Sequence, residues 1–526
     1  MWDYIIVGGG AAGCVLANRL SADDRVKVLL LEAGPMDKNP YIHMPIGFSK
    51  LTDGPYTWGY SSVPQKNCMN RTILLAQGRV LGGGSSINAM VFTRGTPADY
   101  DRWANEEGCP GWSFKEIQPY FLRSEDNDRL SGSWHGVGGP QGVSDLVNPQ
   151  NLSNVFVRAA QEFGLKYNGD FNGETQEGTS IYQTSTRNAR RCSSATGYLK
   201  PVMKRKNLTV RTGWMTSRLI IENGRATGVE VVREGKSETL KASAEVLVSA
   251  GAIGSPKLLM LSGLGPQEHL RNKGIEVVAD LPGVGQNLQD HFDIDISYEL
   301  KGPYSLDKYN SWHLMIWAGL QYLLFGTGPV TSNAVEGGAF SFSDKKQANP
   351  DLQFHFLPAA GVEAGVPPIP SGNGCTLNSY FLRPRSRGSV TLQSNDPTHI
   401  PAIDPNYIDD PYDLERSVDG VIQSREMMSQ ASFEPYVKLE HFPGPGVKTK
   451  KDVEEYARQY GRTSYHHVGT CKMGTDEMAV VDPELKVKGV EGLRVIDSSV
   501  MPSLVSSNTY APTLMIAEKA ADLIMG

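Results

Sequence analysis

Residues 3–32 read DYIIVGGGAAGCVLANRLSADDRVKVLLLE. The run DYIIVG at 3–8 is short, apolar and rich in β-branched residues, which predicts a buried strand. GGGAAG follows and sets Gly8, Gly10 and Gly13 in the G-x-G-x-x-G spacing. Ala, Val and Leu then recur at helical spacing in AAGCVLANRL, and VKVLLLE predicts a second strand ending on Glu32. A strand, a glycine turn, a helix and an acid-ended strand make a dinucleotide-binding unit, so the fold class is α/β with a Rossmann-like domain. Gly8 permits the tight turn, Gly10 lets the backbone approach a pyrophosphate, and Gly13 lets the helix close onto the strand. The pyrophosphate would rest against the positive N-terminus of the helix. Glu32, 24 residues after Gly8, is placed to accept hydrogen bonds from ribose hydroxyls. An acid there favours an unphosphorylated ribose, hence FAD or NAD over NADP, and the fingerprint leaves those two open.

Working outward, 526 residues exceed one simple core, and two domains are expected. The 51 basic and 57 acidic side chains leave a net charge of −6. That balance offers no basic stripe for a phosphate backbone, which argues against nucleic acid as a partner. Cys14, Cys68, Cys109, Cys192, Cys375 and Cys471 are scattered without a CxxC pair, as expected of free thiols in a reducing compartment. The first strand begins at Asp3, so no signal peptide is expected and a cytoplasmic location is. Residues 312–325, WHLMIWAGLQYLLF, are mostly apolar yet too short to span a bilayer. A buried or lid helix is the expectation there; peripheral membrane contact at the inner membrane, or a subunit contact, is the alternative.

Further motifs follow in order: QGRVLGGGSSINAMVFTRG at 77–95, GAIGSPKLLMLSGLG at 251–265 and LPGVGQNLQDH at 281–291. RPRSRGSV at 383–390, YHHVGTCKMG at 465–474, LRVIDSSVMP at 493–502 and NTYAPTLMIAEKAAD at 508–522 complete the series. In this order and spacing the chain resembles the glucose–methanol–choline (GMC) oxidoreductase family, with its bacterial alcohol, choline and sorbose dehydrogenases. The resemblance implies FAD as the cofactor. It also implies a discontinuous FAD-binding domain from 1–155, 200–295 and 460–526. A substrate domain, an antiparallel sheet with covering helices, would take 156–199 and 296–459. NSYFLRPRSRGSVTLQS reads as two strands around a turn, in keeping with that sheet.

By the same resemblance Gly83, Ser86, Asn88 and Ala89 line the flavin ring or its ribityl chain, and Asp497 contacts the phosphate–ribityl region. Some members attach their flavin through a His two residues before this Ala; Ile87 stands there, so noncovalent FAD is expected. The family usually carries a catalytic His followed by Pro. Here His466 takes the first place and His467 replaces the Pro. His467 is left as an orienting or a packed residue. Asn508, 42 residues later, occupies a position where relatives carry His or Asn.

Together these imply that a neutral imidazole takes the hydroxyl proton of a small alcohol, Asn508 holds the oxygen, and hydride passes to flavin N5. The substrate would be a polyol, sugar or amino alcohol, oxidised to aldehyde or ketone, with a quinone-type electron acceptor. An oxidase that returns electrons to O2 and forms H2O2 shares the reductive chemistry and stays open. Lyases and photodecarboxylases on the same fold alter the catalytic pair, which is retained here. A non-catalytic flavin-binding scaffold would not need that pair. Adjacent His residues lack the i, i+4 spacing of a zinc site, so no metal is expected. Glu336, in SNAVEGGAF, is either a carboxylate facing the cavity to attract a cation or a solvated acid on a loop.

Overall fold

Strands Trp2–Val7 and Val28–Glu32 pair in parallel, with Ile5 opposite Leu29 and Val7 opposite Leu31. Every residue of Val28–Glu32 is buried, as in a parallel sheet covered on both faces. Helix Ala11–Leu20 makes the crossover between them. A Cβ on Gly13 would stand 1.9 Å from the Gly8 carbonyl oxygen, so only glycine lets this helix close onto its strand. The parallel order is Leu208–Thr212, Val28–Glu32, Trp2–Val7, Lys236–Val248, and then Leu493–Val495. Strand Lys236–Val248 serves two partners. Its first half pairs antiparallel with Arg225–Arg233, and its second half runs parallel to Trp2–Val7. The C-terminal helix Tyr510–Met525 packs along Ala11–Leu20, where Arg19 grips buried Glu518 at 2.7 and 2.9 Å. The computed structural model describes residues 1–362 and 368–526.

The second sheet is antiparallel, in the order Val437–Phe442, Phe292–Leu300, Gly374–Phe381, Leu352–Leu357, Gly337–Ser341, Gly178–Ile181. Strand alternation explains its two faces. Leu352, Phe354, Phe356, Leu377 and Ile294 point to one side and pack with Phe156 and Val418 of the helices Asn151–Phe163 and Pro411–Met428. Gln353, His355, Asn378 and Tyr380 sit at the intervening positions and pair across the strands, His355 opposite Asn378 and Gln353 opposite Tyr380. That face is polar and turns toward the first sheet.

The sheets divide the chain a little differently from the expected segments. Phe292–Leu300 lies wholly in the second sheet, and Arg462–Thr463 pairs with it. Residues 374–381 and 389–391 are both strands, but the second pairs with Ala402–Asp404 in a separate ribbon. The larger departure is Trp312–Phe325. It is a helix, but Ala318 is its only buried residue. A buried helix needs neighbours on all sides; this one rests on the body along a narrow strip and leaves most of its apolar surface outside.

Candidate active site

The cleft between the two sheets holds one continuous cavity of about 340 Å³. Gly8, Gly10, Glu32, Gly83, Asn88, Ala89, Asp497, His466, His467 and Asn508 all reach it, although they come from both ends of the chain. At its nucleotide end, Glu32 ties the glycine turn to the second strand. Its carboxylate accepts Gly9 N–H at 2.8 Å and Gly34 N–H at 2.7 Å. Burial pushes this carboxyl up to about 7. Each oxygen keeps a free lone pair for a further donor. Helix Ala11–Leu20 begins at Gly10 with no side-chain cap, which leaves its first N–H groups for an anion. The buried Ser249 hydroxyl also lines the cavity and has no hydrogen-bond partner among the described residues. An uncapped helix end, an unpartnered hydroxyl and an acid with spare acceptor capacity suit the ribose and phosphates of FAD.

Gly83 adopts φ +54° with its Cα against Gly10, since a Cβ there would meet Gly10 Cα at 2.8 Å. The two glycine-rich turns therefore touch backbone to backbone. Asn88 presents its amide beside them; its Oδ1 accepts from Arg191 at 2.7 Å and from Met90 N–H at 3.2 Å. Burial brings the Arg191 guanidinium down to about 9. Ser86 is a correction to the expected set. It is fully buried, donates to the Leu81 carbonyl at 2.7 Å and does not reach the cavity, because the short 3-10 turn Gly83–Ser86 rotates its side chain inward. Gly13 acts one layer back, in helix–strand packing. The Asp497 carboxylate accepts Gly251 N–H, Ser255 O–H and Ser499 N–H. It thus holds the start of helix Gly251–Leu261 against the last parallel strand.

At the other end His466 and Asn508 meet: Asn508 Nδ2 lies 3.1 Å from His466 Nε2. Which atom donates follows from the neighbours. Thr93 Oγ1 accepts the Asn508 backbone N–H at 3.2 Å, so its own proton goes to Asn508 Oδ1 at 2.8 Å. The amide nitrogen must then face His466. On the far side, His291 Nε2 lies 3.0 Å from the Leu382 carbonyl, which can only accept. His291 therefore carries its proton on Nε2 and accepts at Nδ1 from His466 Nδ1–H, 2.9 Å away. Burial, with the neighbouring His291 ring adding, takes His466 down to about 3, and burial takes His291 to about 3. Both rings are neutral, so the His466 Nε2 lone pair accepts from Asn508 Nδ2–H at the cavity wall.

His467 turns the other way. Its Nδ1 contacts Gln77 Nε2 at 3.2 Å and its Nε2 stands 3.4 Å from Asp290. Asp290 accepts the His466 backbone N–H at 2.7 Å and also holds Thr463 and Tyr407. His291, Asp290 and Thr93 are the residues that motif reading passed over. The first two end LPGVGQNLQDH at 281–291, so a signal was present without a role attached. Glu336 is neither a cation-binding acid nor a solvated one. It is fully buried, accepting from Gln150 N–H, Ser153 and Ser332.

The chain is similar to known proteins along its whole length. The family models described as GMC oxidoreductase match residues 2–293 and 384–517. The chain is 43% identical to the oxygen-dependent choline dehydrogenase of Rhizobium rhizogenes, covering 100% of this chain and 95% of that protein. It is 42% identical to the alcohol dehydrogenase [acceptor] of Pseudomonas putida, covering 100% and 96%. Pyridoxine 4-oxidase from Mesorbium loti superposes with a TM-score of 0.90 at 30% identity, over 99% of each chain. With both family models matched and relatives above 40% identity along its whole length, this chain belongs to the GMC oxidoreductases, FAD-dependent enzymes acting on CH–OH donors.

Proposed function

We propose that the protein oxidises a neutral primary or secondary alcohol to the aldehyde or ketone, with His466 as base and Asn508 as the oxygen's hydrogen-bond donor. The observation that carries this reading is the unprotonated His466 Nε2, paired with the Asn508 amide at the cavity wall. A hydroxyl that displaces this contact donates its proton to Nε2 and accepts from Asn508 Nδ2–H. Losing that proton pushes electron density into the carbinol C–H bond and eases hydride departure. A buried imidazole resists protonation alone, but a proton that arrives with an anionic oxygen beside it brings its own counter-charge. Bound FAD supplies the hydride acceptor. Gly8, Gly10, Gly13 and Glu32 serve its adenosine diphosphate half, Gly83, Asn88 and Ala89 its ring or ribityl chain, and Asp497 its phosphate–ribityl region. Ile87 offers no attachment point in the Gly83–Ala89 turn, which supports a noncovalent flavin.

Neutral substrates are favoured because the acids around the cavity are already engaged by the protein. Among the described residues these are Glu32 and Asp497 at the nucleotide end, and Asp293. Asp293 is already engaged by Arg462 at 3.0 Å and by Asn378 at 3.1 Å. An electron acceptor of quinone type is part of the proposal; the Pseudomonas putida relative's name, alcohol dehydrogenase [acceptor], supports an electron acceptor without naming its kind. Six unpaired, buried cysteines support work in the cytoplasm. Anaerobic mixing with a panel of alcohols should bleach the flavin with neutral alcohols more readily than with choline, and a quinone should restore the colour faster than air. Preferential bleaching by choline would overturn the substrate class. Immediate recovery in air with peroxide would make the protein an oxidase.

His291 enters as a positioning residue, because it sets the proton of His466 on Nδ1. Substituting His291→Phe removes that acceptor and releases the tautomer. The expected result is a fall in kcat of about tenfold or more, by analogy with other triad-type orienting groups, with KM and flavin content unchanged. An unchanged kcat would remove His291 from the catalytic geometry.

A further inference from the structure

The helix Trp312–Phe325 exposes Trp312, Met315, Ile316, Trp317, Leu323 and Leu324, with Leu323 and Leu324 at 72% and 70%. At about 100° per residue, these six positions spread over roughly 200° of the helix circumference. Its packed strip is narrow, centred on Ala318. Contiguous apolar surface of this kind marks a contact site. We propose that this helix seats on an anionic lipid bilayer, lying in the plane of the headgroups.

Three observations select lipid over a protein partner. The first is the width of the apolar arc. A helix pairing with a second copy buries a stripe roughly 100° wide, which would leave half of this surface in water. A bilayer interface wraps the whole exposed arc. The second is charge. Residues 308–335 contain Lys308 and His313 but no Asp or Glu, and the acids that flank them are turned inward, Asp307 onto the Ala360 and Gly374 N–H groups and Glu336 fully buried. The cationic Arg190 acts on Tyr322 near the helix's other end. On a chain of net charge −6 this is a local reversal of sign, complementary to anionic headgroups. The third is residue type. Trp312 and Trp317 have the amphipathic rings that settle at the headgroup level. Fourteen residues rise about 21 Å, short of the ~30 Å hydrocarbon core, and no helix among the described residues is long and apolar enough to cross a membrane. The helix therefore lies on the surface of the bilayer.

The position also matters. Of the turns flanking the helix, Pro329–Thr331 meets the segment Pro45–Lys50, and Leu306–Asn310 adds Leu306 and Tyr309 to the cluster containing Phe48 and Val335. Phe48 and Val335 line the cavity. Docking would place that wall of the active site beside the lipid, near membrane-dissolved alcohols or acceptors. The inference does not depend on which alcohol is oxidised.

The test uses the purified FAD-loaded protein, sedimented with vesicles of phosphatidylcholine alone or with added phosphatidylglycerol. The protein should pellet with the anionic vesicles, with a blue shift in tryptophan emission. The double substitution Leu323→Glu with Leu324→Glu should weaken this binding by about tenfold or more, with flavin content and oxidation measured with a soluble acceptor unchanged. Three results would each overturn the proposal. Wild-type protein could stay in the supernatant with both vesicle types, or the double variant could bind undiminished. Alternatively, sedimentation velocity could give a wild-type dimer that the double variant dissolves, which would assign the surface to a second copy.

Discussion

His466→Gln is expected to slow alcohol-driven flavin reduction by about 10²–10⁴-fold, the usual contribution of a positioned general base. That range corresponds to about 2.7–5.5 kcal/mol of transition-state stabilisation. Glutamine keeps much of the side-chain volume in this buried position, so bound FAD and thermal stability should be close to wild type. What it cannot supply is a basic nitrogen between Asn508 and His291. Stopped-flow bleaching under anaerobic conditions measures the step directly. The paired control is His467→Gln. The His467 ring points to Gln77 and Asp290 and lacks the His291 contact, so its loss should matter less. A larger loss in the His467 variant would move the base one residue along the chain, and an unchanged rate in both would remove imidazole from the proton step.

Two glycines of the fingerprint should fail in different ways, although they lie three residues apart. Gly10→Val should give a folded protein with a flavin-to-protein ratio lowered about tenfold or more, equivalent to about 1.4 kcal/mol of affinity. A Cβ on Gly10 has its nearest protein neighbour at 4.0 Å, so the chain itself has room. The obstruction is to the pyrophosphate that must approach this backbone. Gly13→Val should compromise the fold itself, because even its Cβ would overlap the Gly8 carbonyl oxygen at 1.9 Å. Helix and strand cannot separate there without opening a core that contains Ile6, Val15 and Leu16. Circular dichroism and flavin absorbance together separate the two cases. Full flavin occupancy in Gly10→Val would contradict the nucleotide-site assignment, and a stable Gly13→Val protein would contradict the packing argument.

The legible part of the site was the part written in contiguous residues. The turn Gly8–Gly13 and the acid Glu32 belong to one local unit, and their roles follow from how close a backbone can come to its neighbour. His466 and Asn508 were found because each sits inside a motif with a recognisable order. Their orientation was not legible. It depends on Thr93 and His291, which lie 415 and 175 residues away along the chain, and on a main-chain carbonyl at Leu382 that no motif marks. Ser86 and Glu336 fail for a related reason. A hydroxyl or a carboxylate in a glycine-rich segment can face a cavity or satisfy nearby donors and acceptors. Only the turn geometry chose the Leu81 carbonyl for one and Gln150, Ser153 and Ser332 for the other.

Residues 312–325 mark the boundary most clearly. Their composition established an apolar helix of about four turns, since local propensity and spacing act within a few residues. Burial was a separate question, because an apolar stretch is covered only if other elements arrive around it, and here they cover little more than the Ala318 strip. By itself, then, the sequence determined the α/β class and the glycine turn with its closing acid, carried by short-range pattern, and it offered His466 and Asn508 as the proposed proton-handling pair through motif resemblance. The tertiary structure alone decided the tautomer of His466, the retirement of Ser86 and Glu336 from the cavity and the exposure of the apolar helix. Each of these is a contact or a missing contact between segments far apart in the chain, and hydrogen-bond partners and burial exist only once those segments have met.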